Sequence, residues 1–379
     1  MFFLDNASTT RCDEESAEIV KNALIDDYFN PSAKYFPAVH LSSKLNECRK
    51  EILDTLFAIN YDVIFTASAT EANNLVLNSA CSKAYKSIVS LGEHSSIYET
   101  TKLLRNKGFE IEELKLNRDG TVDFDNFREI IQPNVGFVSV MLVSNETGAI
   151  NDCKKLVAYA KSVNPKILFH IDAVQGYCKL PINLEDIGAD YMTISSHKIH
   201  GPKGVGALIA KKKSKLTPQI IGGGQENGIR SGTENLPAIV GFVNSAKKQT
   251  KDIVARFERV LTYKKTFYEL LIKKAKAENI EVTLNGSMET SSPYILSISF
   301  PHTKAEILLH SLESYDILVG TGSACNSKHK GNRVLSEMGK NDLEVEGNIR
   351  ISFSEESLSY DAEYITDKII ECVTKIKRK

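Results

Sequence analysis

The stretch Ile167-Leu-Phe-His-Ile-Asp172-Ala-Val-Gln175 is an apolar run that stops abruptly at an acid and an amide. Further along, Tyr191-Met-Thr-Ile194 stops in the same way at Ser195-Ser196-His197-Lys198. Short runs of this kind, separated by longer stretches of helical spacing, read as buried strands joined by helices. Asp62–Thr66, Ser87–Leu91, Gly136–Val143 and Val205–Ala210 repeat the pattern. The order predicts an α/β protein with a mostly parallel sheet covered by helices on both faces. Several of these runs end in polar clusters, and open α/β sheets bind ligands beyond the carboxyl ends of their strands.

The chain has 379 residues and 42.0 kDa, more than one core usually supports, so a large and a smaller domain are expected. From Ile253 the apolar positions Phe257, Val260, Leu261, Phe267 and Leu271 keep helical spacing, which marks a long helix leading out of the large domain. Strand-like runs at Glu281–Leu284, Ile295–Phe300 and Ile349–Phe353, with helices near Lys304–Ser314, Gly331–Glu337 and Asp361–Lys377, predict a smaller α+β domain. The expected boundaries are 14–254 for the large domain and 255–379 for the small one, joined by the N-terminal segment 1–13.

With 42% hydrophobic and 25% charged residues the composition is that of a soluble globular protein. A formal net charge of −1 supplies no general attraction for nucleic acid or acidic lipid. Met1-Phe-Phe-Leu-Asp5 reaches a carboxylate too early for a signal peptide, and no apolar run approaches a membrane span, so a cytoplasmic protein is expected. Seven scattered cysteines show no metal-ligand spacing and no disulfide framework, and no metal is expected.

The chemistry-bearing residues form an assembly. An acid, an amide, a hydroxyl, an imidazole and a lysine are the groups a protein needs to hold pyridoxal phosphate. Asp172 could face the pyridine nitrogen, Gln175 the phenolic oxygen, Ser195 and His197 the phosphate, and Lys198 could form the imine. The segment Thr66-Ala-Ser-Ala69-Thr70-Glu-Ala-Asn-Asn74 follows a strand and opens a helix, where backbone N–H groups and the Thr70 hydroxyl can hold a phosphate; a simple helix cap would also explain Thr70. His94 follows another strand, and its ring could stack on the pyridine and shuttle a proton, or be structural. Gly222–Glu226 reads better as a phosphate loop than as a nicotinamide fingerprint. Cys325, in Gly320-Thr-Gly-Ser-Ala-Cys-Asn-Ser327, sits on a Gly/Ser-rich loop where Lys328, His329 and Lys330 favour a thiolate; those charges could equally only solubilise the loop. Arg350 offers a fork for a substrate carboxylate or a structural ion pair.

Together these motifs resemble the cysteine desulfurases, the NifS/IscS-type branch of the class V aminotransferase family of fold-type I pyridoxal-phosphate enzymes. The likeness runs from Leu4-Asp-Asn-Ala-Ser-Thr-Thr10 through Asn145-Glu-Thr-Gly148 and Arg230–Asn235 to Arg350. It implies a fold-type I transferase with a seven-stranded-type sheet and pyridoxal 5'-phosphate as cofactor. By position it implies Lys198 as the attachment lysine, Asp172 and Gln175 on the ring, and His94 stacked on it and aiding proton transfer. Ala69, Thr70, Ser195 and His197 become the phosphate shell, with Thr233 reaching in from the second subunit of a homodimer. Asn145 and Arg350 hold the carboxylate of L-cysteine, and Cys325 takes its sulfur as a persulfide. The long segment between Cys325 and Arg350 resembles the branch whose extended loop delivers sulfur to an acceptor protein, an iron–sulfur scaffold or a tRNA-thiolation enzyme. The family's Asn-Pro-Ser-Ser-x-His-x-x-Gly stretch departs here to Asn30-Pro-Ser-Ala-Lys-Tyr35-Phe-Pro-Ala38. Alternatives are another class V aminotransferase, a selenocysteine lyase, or a silent cofactor-binding partner subunit, against which the intact Lys198, Cys325, His94 and Arg350 count.

Overall fold

The computed structural model describes residues 1–322 and 332–377. Among the described residues twelve strands build two sheets. They are β1 (Phe2–Leu4), β2 (Tyr61–Thr66), β3 (Lys86–Ser90), β4 (Ile111–Leu114), β5 (Val135–Met141), β6 (Leu168–Asp172), β7 (Tyr191–Ser195), β8 (Gly206–Lys211), β9 (Thr283–Leu284), β10 (Ile295–Ser299), β11 (Ile317–Thr321) and β12 (Asn348–Ser352).

The larger sheet has the order β2-β8-β7-β6-β5-β3-β4. All its pairings are parallel except those of β8, which runs antiparallel to both β2 and β7. The central strands are buried along almost their whole length, as a sheet covered on both faces requires. Sequence reading missed β4, whose Ile-Glu-Glu-Leu composition carries two charges. The sheet order explains this: β4 is an edge strand paired only with β3, and charge on an edge discourages further pairing.

The smaller sheet has the order β1-β11-β12-β10-β9. Phe2, Phe3 and Leu4 pair in parallel register with Ile317, Leu318 and Val319, which brings the start of the chain into this sheet. The two segments meet where Ser292 N–H donates to Gly148 O (2.7 Å) and Ile150 N–H to Thr290 O (3.1 Å).

The helix Ile253–Ala277 lies along this seam, turned differently from its apolar spacing. Its buried positions are Arg256, Val260, Lys264, Phe267, Leu271 and Ala275, while Ile253, Phe257 and Leu261 are only half-buried. Two cations point inward because the seam leaves carbonyls that need donors. Arg256 Nη2 reaches Cys178 O (2.7 Å), and Lys264 Nζ reaches Ser292 O (3.0 Å) and Ser291 Oγ (2.7 Å).

Candidate active site

Four loops at the carboxyl ends of β3, β5, β6 and β7 converge, and each carries an expected residue. Asp172 is the last residue of β6 and 3% exposed. Its Oδ1 accepts the Val174 N–H (3.0 Å), the turn role such an acid commonly has, and its Oδ2 accepts Nδ2 of Asn73 (2.8 Å). Asn73 lies on the inner face of the helix Ala69–Ala80. Gln175 is buried; its Nε2 donates to Ala7 O (2.8 Å) and its Oε1 accepts from Lys179 Nζ (3.1 Å).

Lys198 ends the one-turn 3-10 helix Ser196–Lys198 that follows β7. Its Nζ donates to Ala7 O (2.7 Å) and Ser8 O (2.5 Å), so the N-terminal turn and the lysine form one unit. His197 Nδ1 lies 3.1 Å from Thr9 Oγ1. Burial first, and the Lys198 charge second, push its imidazole down to about 4.

Ser195 is 1% exposed and its hydroxyl has no hydrogen-bond partner among the described residues. It pairs with Gly206, whose missing Cβ would stand 2.9 Å from Ala69 N. The glycine therefore lets the N-terminus of the Ala69–Ala80 helix approach β7. Ser68 caps that helix, accepting from Glu71 N, which leaves Thr70 exposed in its first turn and not acting as the cap. An enclosed hydroxyl without a partner beside a helix N-terminus suits a phosphate group. The buried carboxylate of Asp172 and the lysine complete a set that fits pyridoxal phosphate.

His94 is the N-cap of the helix Ser95–Asn106. Its Nδ1 accepts the Ser96 N–H (3.1 Å) and lies 2.8 Å from Ser96 Oγ. Burial lowers its basicity most; Asp172 acts against this and Lys198 with it. Neighbouring Glu93 is 1% exposed, accepts the Met141 N–H with Oε1 (2.6 Å), and has no partner for Oε2 among the described residues. Burial, then the Asp172 charge, raise its carboxyl well above the ordinary range, so a second full negative charge beside Asp172 is avoided.

Arg350 lies on β12, 7% exposed. Nη1 donates to Asn145 O (2.9 Å) and Nη2 to Asp5 Oδ1 (2.9 Å), with Glu146 Oε1 3.8 Å away. Asn145 Nδ2 donates to Glu146 Oε1 (2.7 Å), while Glu146 Oε2 accepts from Asn332 Nδ2 (2.8 Å). Arg333 donates to the carbonyls of Leu91 and Glu93 and lies over the Tyr98 ring at 3.8 Å. The segment resuming at Asn332 is thus fastened to the strand ends that carry Asn145 and His94.

Thr233 is exposed and lines, with Thr66, Ala67 and Gly204 of the same chain, a cleft of about 170 Å³ that does not include Lys198. Gly222–Gly224 are exposed, while Glu226 turns inward to Arg49 (2.9 Å) and to Phe65 N–H (3.2 Å), which ties this segment to the sheet. Ala38 is fully buried in the first turn of the helix Phe36–Asp54, where alanine suits a helical backbone better than the family's glycine. Cys325 and Lys328–Lys330 lie outside the described residues. Sequence reading missed Asn73, Ser96, Glu93, Glu146 and Asp5. Asn73, Asp5 and Glu146 stood inside quoted motifs, and nothing in their spacing distinguished them.

The family description "Aminotransferase class-V" matches residues 2–364. The cysteine desulfurase IscS of Dictyoglomus turgidum is 31% identical over 99% of this chain and 95% of its own length.

The chain belongs to the cysteine desulfurase branch of the class-V aminotransferase family.

Solved structures agree with this placement. A NifS-like protein superposes with a TM-score of 0.88 at 29% identity, covering 97% of this chain and 98% of that one. SspA in complex with cysteine superposes at 0.80 with 28% identity, covering 93% and 99%. Members of the family are pyridoxal-phosphate enzymes. Among the described residues no helix is long and apolar enough to cross a membrane, and no group of three His, Cys, Asp or Glu could hold a metal ion.

Proposed function

We propose that this member of the cysteine desulfurase branch uses pyridoxal 5'-phosphate to convert L-cysteine to L-alanine, leaving the sulfur as a persulfide on Cys325. The observation that carries the reading is the convergence of Asp172, Ser195, His197, Lys198 and His94 on one end of the sheet, in a chain that matches desulfurases along its length. Lys198 would attach the cofactor, Asp172 would hold its ring nitrogen and Gln175 its phenolic oxygen. Ala69, Thr70, Ser195 and His197 would hold the phosphate, with Thr233 of a second copy completing it in a homodimer. When bound, the cofactor supplies an electron sink for the bonds at the substrate α-carbon.

The chain's own groups do the rest. Arg350, steered by Asp5 and the Asn145 carbonyl, binds the substrate carboxylate with the Asn145 amide. The Cys325 thiolate forms an S–S bond to the substrate sulfur as the carbon–sulfur bond breaks, and the carbon takes a proton to become the methyl of alanine. Cysteine and a thiol are exchanged for alanine and a persulfide, with no oxidant needed. The six other cysteines all have thiols raised by burial, Cys48 to about 12 and Cys81 to about 11, so they make poor nucleophiles. The persulfide then passes to an acceptor protein, an iron–sulfur scaffold or a tRNA-thiolation enzyme, in the cytoplasm.

Mass spectrometry of the purified protein after L-cysteine tests the reading. One sulfur atom added at Cys325, alanine released without a keto acid, and neither in Cys325→Ser are expected. Dependence on a keto-acid acceptor would make the protein an aminotransferase instead.

A further inference from the structure

We propose that Asn73 and Ser96 are positioning residues that hold the proton of the His94 ring on Nε2, so that His94 serves the site as a hydrogen-bond donor and not as a base. The inference rests on the desulfurase reading for its consequence, but its evidence is a chain of hydrogen bonds whose direction is fixed at both ends. At one end the Ser96 backbone N–H points at His94 Nδ1 (3.1 Å), and a backbone N–H can only donate. At the other end Asp172 Oδ2 lies 2.8 Å from the side-chain amide of Asn73. A carboxylate oxygen accepts, so the amide must present its nitrogen there and not its oxygen.

That nitrogen has two hydrogens. The second goes to Ser96 Oγ at 2.9 Å. Having accepted from Asn73, the serine hydroxyl directs its own hydrogen to the remaining neighbour, His94 Nδ1 at 2.8 Å. Two donors therefore converge on Nδ1, and the ring hydrogen is confined to Nε2. Asn73 and Ser96 are 1% and 8% exposed, so water does not readily replace either link.

A second proton on the ring would have to displace both donors at Nδ1. It would also stand at the positive end of the Ser95–Asn106 helix, which His94 caps. The charged groups around the ring are Asp172 from β6, Glu146 from the loop after β5, Lys198 after β7 and Arg333 from the helix Arg333–Glu337. Asp172 and Glu146 favour protonation, Lys198 and Arg333 oppose it, and burial decides the balance downward. Nε2 then carries the ring hydrogen and Nδ1 already accepts from two donors, so neither ring nitrogen presents a free lone pair to the substrate. Proton removal from the substrate then falls to the amine of Lys198, and Asn73 links the carboxylate expected at the cofactor's ring nitrogen to the histidine expected to stack on that ring.

Nitrogen-15 NMR of histidine-labelled, cofactor-free protein tests the assignment, with the His94 signals identified by their loss in His94→Gln. Expected is a pyridine-type Nδ1 and a pyrrole-type Nε2 through the neutral range. In Ser96→Ala the titration midpoint of the ring should rise by about one pH unit, the worth of one hydrogen bond, and Ser96→Thr should restore it. A pyrrole-type Nδ1, or an unmoved midpoint in Ser96→Ala, overturns the proposal. In the cofactor-loaded enzyme His94→Gln, which keeps a donor, should retain alanine formation within about tenfold of the parent, while His94→Ala should lose about a hundredfold. Equal losses in both would make His94 a base and also overturn it. If the parent enzyme made no alanine from cysteine, the desulfurase reading would fall, whereas the tautomer is decided by the NMR alone.

Discussion

Arg350 Nη2 donates to Asp5 Oδ1 at 2.9 Å, joining an inner strand of the small sheet to the first turn of the chain through side chains only 8% and 22% exposed. Removing the acid leaves a buried guanidinium short of a counter-charge. Asp5→Ala should cost about 3 kcal/mol of stability, and Asp5→Asn, which keeps an acceptor, about 1 kcal/mol. Because Asp5 also steers the group proposed to bind the substrate carboxylate, the KM for cysteine should rise about tenfold in Asp5→Ala. Urea denaturation and steady-state kinetics measure the two effects; a stable variant with an unchanged KM would detach Asp5 from substrate binding.

His170 makes stability depend on pH. Its ring is fully buried, with Nδ1 2.9 Å from Ser139 Oγ and Nε2 3.0 Å from Thr193 Oγ1, and burial pushes it down to about 3. An unfolded histidine titrates near 6.5, so below that pH the unfolded chain binds a proton that the folded chain refuses. The contribution is fully present above pH ~6.5 and is lost toward pH ~3 at about 1.4 kcal/mol per unit. Glu93, with its raised carboxyl, acts in the opposite sense above its unfolded value, so the test is a difference. Stability measured for the parent and for His170→Asn at several pH values should diverge by one proton's slope between pH ~4 and ~6. Parallel curves would contradict this.

Lys264 works against the fold at neutral pH. It is 1% exposed, and burial pushes its amine down to about 7. Between that value and its unfolded value near 10.4 the unfolded chain holds a proton that the folded chain does not, so stability rises as pH climbs through this window. Replacing it by an apolar side chain of similar length removes that penalty but leaves Ser292 O and Ser291 Oγ without their donor. Lys264→Met should therefore gain about 2 kcal/mol near pH 7 and lose the advantage by pH ~10. Thermal denaturation across that range checks it, and a pH-independent difference would be the wrong result.

Thr233 bears on assembly. It is exposed within its own chain and lines a cleft without Lys198. If a second copy uses it to complete the phosphate site, Thr233→Ala should weaken cofactor affinity about tenfold while leaving the dimer intact by light scattering. A fully loaded monomer would remove the basis for shared sites.

The chain order of apolar runs made the large sheet legible apart from its charged edge strand β4, because burial on both faces leaves a strand signature that composition alone carries. The strand-end polar clusters made Asp172, Ser195, His197, Lys198 and His94 legible for a related reason: a side chain that follows a buried strand has few places to go. The three-residue strand β1 was not legible. Phe2–Leu4 is too short to show alternation, and its partner Ile317–Val319 is at the far end of the chain. The inward Arg256 and Lys264 were missed because helical spacing reports where apolar residues recur, and says nothing about carbonyls on another element that need donors.

The sequence by itself determined the layer order, the ends of the strands where chemistry would gather, and the identity of the groups gathered there. Only the tertiary structure decided how those groups are held. Asn73 reaches Asp172 and Ser96 because two helices pack on the same sheet, and Asp5 reaches Arg350 because the first strand closes onto β11. Periodicity and motif are local properties of a chain. The direction of a hydrogen bond between residues far apart in it depends on how the elements pack, and so did the side of the His94 ring that carries its proton.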